Sequence, residues 1–478
     1  MIPFITAVFL GAFLLFQAEL LVAKALLPRF GGTAAVWTTC LLFYQFVLLL
    51  AYFYAHALTR RPAPRLQRAL HLMALLLSLG ALALPLLRGG LPLLPPVGGF
   101  AVSPADSPIG QILLLLAGTV GIPAFVLAAT GPLLQSWFSG VCPGRSPYRL
   151  YAWSNLGSLL GLLAYPFLVE PVWDLPGQAR LWCAGYLGFG FALAACARRT
   201  GGPADHAAPA TASSSAACAP RAPRVRWFAL SLCPSILLLA VTNLLCRDLA
   251  VIPFLWVLPL ALYLLSFVLC FESERLCSQR WALPAMILAT AMAVALLFGG
   301  THAPIRLQIA GYSFVLLCVC LVCHGELCRL RPPASGLTLF YLIIALGGAC
   351  GGLFAALVAP LVFAGFWEYH IALMSAWCLV VFAQIDDPKS AFHQGERRLP
   401  FVFLFVALMP AAVGLASFAP ARRPGWPPSL TVALCCAAAA AILLVPAVAL
   451  GRLPAASRFH PARPGWVRAI LLAVQGVL

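Results

Sequence analysis

Apolar runs long enough to cross a bilayer follow one another along the chain, separated by short breaks that carry arginine, proline and glycine. About 20 apolar residues in a helix cover a hydrocarbon core of ~30 Å. Runs of that size fall at 2–27, 35–58, 69–87, 109–138, 148–169 and 179–197. The stretch 198–226 interrupts them; its Ala, Pro, Ser and Gly give it the composition of a flexible linker. Six more runs follow at 227–245, 250–271, 281–300, 307–328, 337–363 and 366–385, and two others at 399–418 and 429–450. The pattern predicts an all-α integral membrane protein of about 14 transmembrane helices. The first run lacks a basic leader and carries Glu19 and Lys24 where a small-residue cleavage site would stand, so it is expected to be a retained span.

Composition removes the alternatives. Of 478 residues, 63% are hydrophobic and 9% charged, far from the balance of a water-soluble fold. The net charge of +17 raises the question of nucleic acid, but the basic residues come in small groups between apolar runs and form no stripe, so no nucleic-acid partner is expected. They sort by side instead. With the N-terminus inside, 22 of the 30 Lys and Arg residues fall in inner loops, linker and tail, which predicts an N-in, C-in topology. Most of the 17 cysteines lie inside apolar runs, where a reduced Cys acts as a small hydrophobe, and no disulfide framework is expected.

Two sets of six spans around a basic linker suggest internal duplication. Thr130 to Gln135 in the fourth span lies over His324 to Arg329 in the tenth at an offset of 194. Tyr151, Leu156, Gly157 and Gly161 in the fifth lie over Tyr341, Leu346, Gly347 and Gly351 in the eleventh at an offset of 190. Two six-helix halves joined in this way make the major facilitator arrangement. The expected organisation is an N-terminal half (1–197), a cytoplasmic linker (198–226), a C-terminal half (227–385), and two additional helices with a basic tail (386–478).

Ionisable side chains inside a bilayer cost about 2.5–3.5 kcal/mol each on insertion scales, so each needs a partner, a cavity or a role. In the first span Gln17 and Lys24 share a face, while Glu19 and Lys24, five apart, point about 140° away from each other. Lys24 either snorkels to the outer interface or joins a site; Glu19 either bonds a neighbouring helix or serves as a cation or proton site facing a central cavity. In the tenth span His324, Glu326 and Arg329 form a polar cluster in which Glu326 and Arg329, three apart, can pair. Asn155 stands on a small-residue face where its amide can bond across helices. The candidate substrate-binding set is therefore Gln17, Glu19, Lys24, Asn155, His324 and Glu326. Cys320-x-x-Cys323-His324 has the spacing of haem attachment but stands at the inner end of an apolar span, and three cysteines on one helix cannot all face one ion. No metal and no cofactor are expected. Walker A, Gly-x-Ser-x-Gly and His-Glu-x-x-His sequences do not occur, so no catalytic residues are assigned.

Several segments together carry a resemblance. Phe16 to Lys24, leading through Leu27-Pro28-Arg29-Phe30-Gly31-Gly32 to Ala35 through Cys40, is one; Tyr148 to Pro171 is a second. Phe254 to Leu260 and Val322 to Leu327 complete the set. The chain over residues 1–385 resembles the membrane region of bacterial proteins in which a multi-span, major-facilitator-like domain is fused to a spermidine-synthase-like domain. That resemblance implies a bacterial inner-membrane location and an association with polyamines or other small amine-bearing solutes. The synthase-like domain of that family has no counterpart in this sequence, so the resemblance does not imply aminopropyl transfer. Two functions are expected from it: a transporter-like protein for such a solute, with the lipid bilayer as its surroundings, or a membrane anchor for a separately encoded, soluble synthase-like partner.

Overall fold

A computed structural model describes residues 1–31, 34–61, 63–87, 89–95, 108–142, 144–200, 221–248, 255–273, 281–299, 304–363 and 365–386. The runs expected at 399–418 and 429–450 lie outside them. The described residues are helical nearly throughout, and twelve long helices stand where the apolar runs predict them. In chain order these are α1 (Ile2–Phe30), α2 (Ala34–Thr59), α3 (Pro64–Leu87), α4 (Pro108–Val141), α5 (Tyr148–Val172) and α6 (Leu175–Arg199). The second set is α7 (Arg221–Asp248), α8 (Val257–Glu272), α9 (Ala282–Gly299), α10 (Ile305–Arg329), α11 (Ala334–Val362) and α12 (Trp367–Asp386). Arg221 to Arg226, expected in the linker, continue α7 as helix. Among the described residues nine helices are long and apolar enough to cross a membrane. Large apolar side chains such as Phe53, Leu76, Phe167 and Phe191 are exposed, as they can be where the solvent is hydrocarbon.

The duplication is visible in the packing. On α5, Gly157 and Gly161 let the backbone come against Phe9 and Phe13 of α1; on α11, Gly347 and Gly351 do the same against Phe228 and Leu232 of α7. A side chain at any of the four would meet main-chain atoms. Small residues are what close helix approach in lipid requires, because dispersion contacts rather than the hydrophobic effect hold helices together there. Both helices then loosen into a π turn, at Tyr165–Val169 in α5 and Phe354–Val358 in α11, one residue from register under the 190 offset. A proline follows each turn, Pro171 and Pro360, and α4 has its own π turn at Ala117–Gly121.

The halves meet through α2 against α11 and α5 against α8. Their inner ends are closed by an aromatic layer. Tyr151 and Tyr341, equivalent in the two repeats, stack at 4.8 Å and 28°. Phe271 packs edge-on to Tyr151 at 4.8 Å, and Tyr52 reaches Tyr341 at 6.4 Å. Polar contacts lie around the layer: Tyr148 Oη donates to the Pro332 carbonyl at 2.5 Å, His56 Nδ1 and Thr338 Oγ1 are 2.9 Å apart, and Arg149 pairs with Glu272 at 3.2 Å. This is the arginine-rich side, so the aromatic layer seals the inner end of the bundle.

At the opposite end Lys24 Nζ reaches Glu170 Oε1 at 2.6 Å, joining α1 to α5 across 146 positions of sequence. Both groups are partly exposed, and such pairs contribute about 1 kcal/mol at most. Lys24→Met is expected to lower stability by about that amount, because it leaves Glu170 without its counter-charge. The Lys24→Met/Glu170→Gln double variant is expected to recover most of the loss. Melting temperatures of the purified proteins test this, and a single variant as stable as the wild type would show that the pair contributes nothing.

Candidate functional site

Between the halves lies a cavity of about 230 Å³, bordered by α1, α2, α4, α5, α7, α8 and α11. Its walls are mostly apolar. It runs from Glu19 down to Ala7 on α1, twelve residues or about 18 Å of helix, and ends at Tyr151, Tyr52 and Phe267 of the inner aromatic layer. Ligand sites of drug-sized molecules occupy about 300–1,000 Å³, so this long and narrow space suits a smaller solute.

Glu19 is the only charged side chain among the described lining residues. It has no hydrogen bond or ion pair among the described residues, although Cys40 and Tyr44 of α2 are its electrostatic neighbours. Tyr44 and Gln45 line the cavity too, and the Tyr44 hydroxyl and Gln45 Oε1 are buried without a partner among the described residues. Gly352 of α11 makes room for the Gln45 amide, which a Cβ there would strike. Three oxygen-bearing residues on two adjacent helices thus line one space, and the Tyr44 and Gln45 oxygens have no partner among the described residues. Lower down, Asn155 lines the cavity and anchors itself by donating from Nδ2 to the Tyr151 carbonyl at 2.9 Å. Ser154, Ser158 and Ser235 supply hydroxyls.

The six residues singled out by sequence divide between cavity and helix packing. Glu19 and Asn155 line the cavity. Gln17 is buried between α1 and α5, where Nε2 donates to the Gly161 carbonyl at 2.7 Å. Lys24 is held by Glu170. Glu326 is buried at the inner end of α10 and accepts two bonds from Arg329, at 2.7 Å from Nε and 2.6 Å from Nη2. His324 is fully buried behind the wall: its ring stacks on Phe267 at 3.6 Å, and Nδ1 lies 2.8 Å from Ser266 Oγ. Ser266 Oγ lies 2.6 Å from the Tyr263 carbonyl as well, so the serine hydroxyl ties the imidazole to the α8 backbone. Phe267 and Tyr263 separate the imidazole from the cavity they line. Among the described residues no three His, Cys, Asp or Glu side chains gather as a metal site.

Sequence reasoning passed over Tyr44, Gln45, Tyr263 and Phe267. A signal existed for Gln45 alone, an uncharged amide in the middle of the apolar run Leu41 to Leu50. Aromatic residues in a spanning helix give none, since they occur equally on lipid-facing and cavity-facing sides.

No protein-family model and no curated protein matches the sequence. Solved structures do match the fold. A major facilitator superfamily proton:xylose symporter, XylE, bound to 6-bromo-6-deoxy-D-glucose superposes with a TM-score of 0.52 at 12% identity, covering 80% of this chain and 95% of that one. A structure of a D-xylose-proton symporter gives a TM-score of 0.47 at 12% identity, with 80% and 96% coverage. At this identity the first likeness carries the fold and nothing about substrate. The chain is a multi-pass membrane protein with the two-halved fold of the major facilitator transporters.

Proposed function

We propose that the protein is a secondary transporter that carries a small amine-bearing cation, with Glu19 as the counter-charge of the ammonium group. The observation that carries this reading is a carboxylate on a central cavity with no partner among the described residues. An unpaired charge within the membrane is costly, and a fold keeps one where a cation or proton is to be bound. Tyr44 and Gln45 offer further acceptors to the N–H groups, and Asn155 offers its amide lower down. Gln17 and Lys24 hold α1 against α5 and so fix the depth of Glu19, while His324 backs the Phe267 wall and Glu326 ties the inner end of α10. A polyamine is the member of this class suggested by the resemblance to synthase-fused membrane domains, and a bacterial inner membrane is the location it suggests.

Counterflow tests the proposal. Vesicles containing the full chain are loaded with an unlabelled charged amine and exposed to a trace of the same compound in labelled form, using putrescine, n-hexylamine and phenethylamine in turn. A transient overshoot of label with at least one of them is expected. Folded protein that produces no overshoot with any of the three would overturn the transport reading and send attention to a membrane-anchor role.

A further inference from the structure

The distribution of charge and surface along the cavity narrows the solute further, on the footing that an amine binds at Glu19. Between Glu19 and the inner aromatic layer the described lining residues provide one negative charge, at one end. Beyond it the walls are aliphatic, with Leu48, Leu127, Leu260, Leu264 and Ile344 among them, and the far end is aromatic and neutral, with Tyr151, Tyr263 and Phe267. Tyr151 stands edge-on to Phe267 at 5.7 Å and Tyr263 edge-on to it at 5.3 Å, so the three rings form one continuous wall. Near that wall the polar groups are the amide of Asn155 and the hydroxyls of serine and of Tyr52, Tyr151 and Tyr263, which can bond a neutral group but carry no charge to neutralise a second ammonium.

We infer that the solute is a monocationic amine with an apolar or aromatic tail, its ammonium at Glu19 and its tail running inward to the Tyr263–Phe267 wall, and that polyamines are disfavoured. Two terms separate the classes. The tail gains by leaving water in proportion to the apolar area it buries. A diamine of the same length must bring a second charge to the neutral end, where cation–π contact with the rings returns only part of what an ion buried without a counter-charge loses.

Binding to the purified full chain, followed by titration calorimetry, decides the matter with matched pairs: n-hexylamine against hexamethylenediamine, and phenethylamine against phenethyl alcohol. Wild-type protein is expected to bind hexylamine about tenfold or more tightly than the diamine. Phenethylamine is expected to exceed its alcohol by about a hundredfold, through the ammonium alone. In Glu19→Gln the amine's advantage over the alcohol should vanish while the weak binding of the alcohol persists, which also reports that the variant is folded. Diamine binding as tight as that of hexylamine, with Glu19 still required, would overturn the monocation inference and leave amine transport standing. Amines that bind no better than the alcohol in the wild type, or equally well in Glu19→Gln, would remove the amine reading itself. The hexylamine–diamine ranking is measured on wild-type protein and so holds even if the variant fails to fold.

Discussion

Replacing Glu19 by glutamine is expected to abolish saturable amine uptake while leaving the protein as stable as before, or more so. Glutamine keeps the shape of the side chain and one acceptor oxygen, and replaces the charged carboxylate by a neutral amide. Deleting one partner of a desolvated charge pair costs about 2–5 kcal/mol of binding, so affinity should fall by about two orders of magnitude. Stability should move the other way. In the unliganded protein Glu19 has no hydrogen bond or ion pair among the described residues, and neutralising an unpaired carboxylate within the membrane relieves a desolvation cost. Glu326 provides the contrast, because its two bonds from Arg329 make its charge part of the packing. Lost uptake with an unchanged or raised melting temperature is the signature of a binding residue, one that the fold keeps for function against its own stability. Uptake that survives in Glu19→Gln would remove Glu19 from the site.

The same arithmetic explains which parts of the molecule could be read from its sequence. Among the described residues twelve helices lie where the apolar runs place them, because a bilayer fixes both the length and the polarity of a spanning segment. The repeat was legible in Gly157, Gly161, Gly347 and Gly351, since close helix contact in lipid admits few residue types. Glu19 stood out because a charge in an apolar run is conspicuous whatever surrounds it. Direction and distance were not legible. Lys24 meets Glu170 across 146 positions, and nothing local to either residue announces the other. The helical face presented by His324 depends on how α10 is turned against α8, and the imidazole lies behind Phe267, one layer from the cavity. The aromatic wall was hidden for a different reason: phenylalanine and tyrosine are ordinary membrane residues, and only the packing of two halves tells which ones face inward.

Adding a single methyl group at the close-contact glycines is expected to destabilise both halves by similar amounts and to impair binding more in one than in the other. A Cβ at Gly161 would stand 2.6 Å from the Phe13 carbonyl oxygen and 3.1 Å from its Cα; one at Gly347 would stand 2.6 Å from the Phe228 carbonyl oxygen. Those atoms are backbone and cannot swing aside as a side-chain tip could, so the helices must part. Overpacking of this kind costs about 1–3 kcal/mol, and Gly161→Ala and Gly347→Ala should both sit toward the upper end. Gly140→Ala is the control: a Cβ there meets nothing within 4 Å, and alanine's better helix propensity should make that change neutral or stabilising by up to about 1 kcal/mol. Melting temperatures of the three variants test the packing, and a Gly161→Ala protein as stable as Gly140→Ala would show that α1 and α5 are not in backbone contact. Binding separates the halves. Parting α1 from α5 strains the Gln17 bond to the Gly161 carbonyl, two residues from Glu19, and shifts the carboxylate in the cavity. Parting α7 from α11 displaces uncharged lining residues such as Ser235 and Gly348. Amine affinity should therefore fall more in Gly161→Ala than in Gly347→Ala at equal cost in stability, because the duplicated contact supports the charge in one half alone.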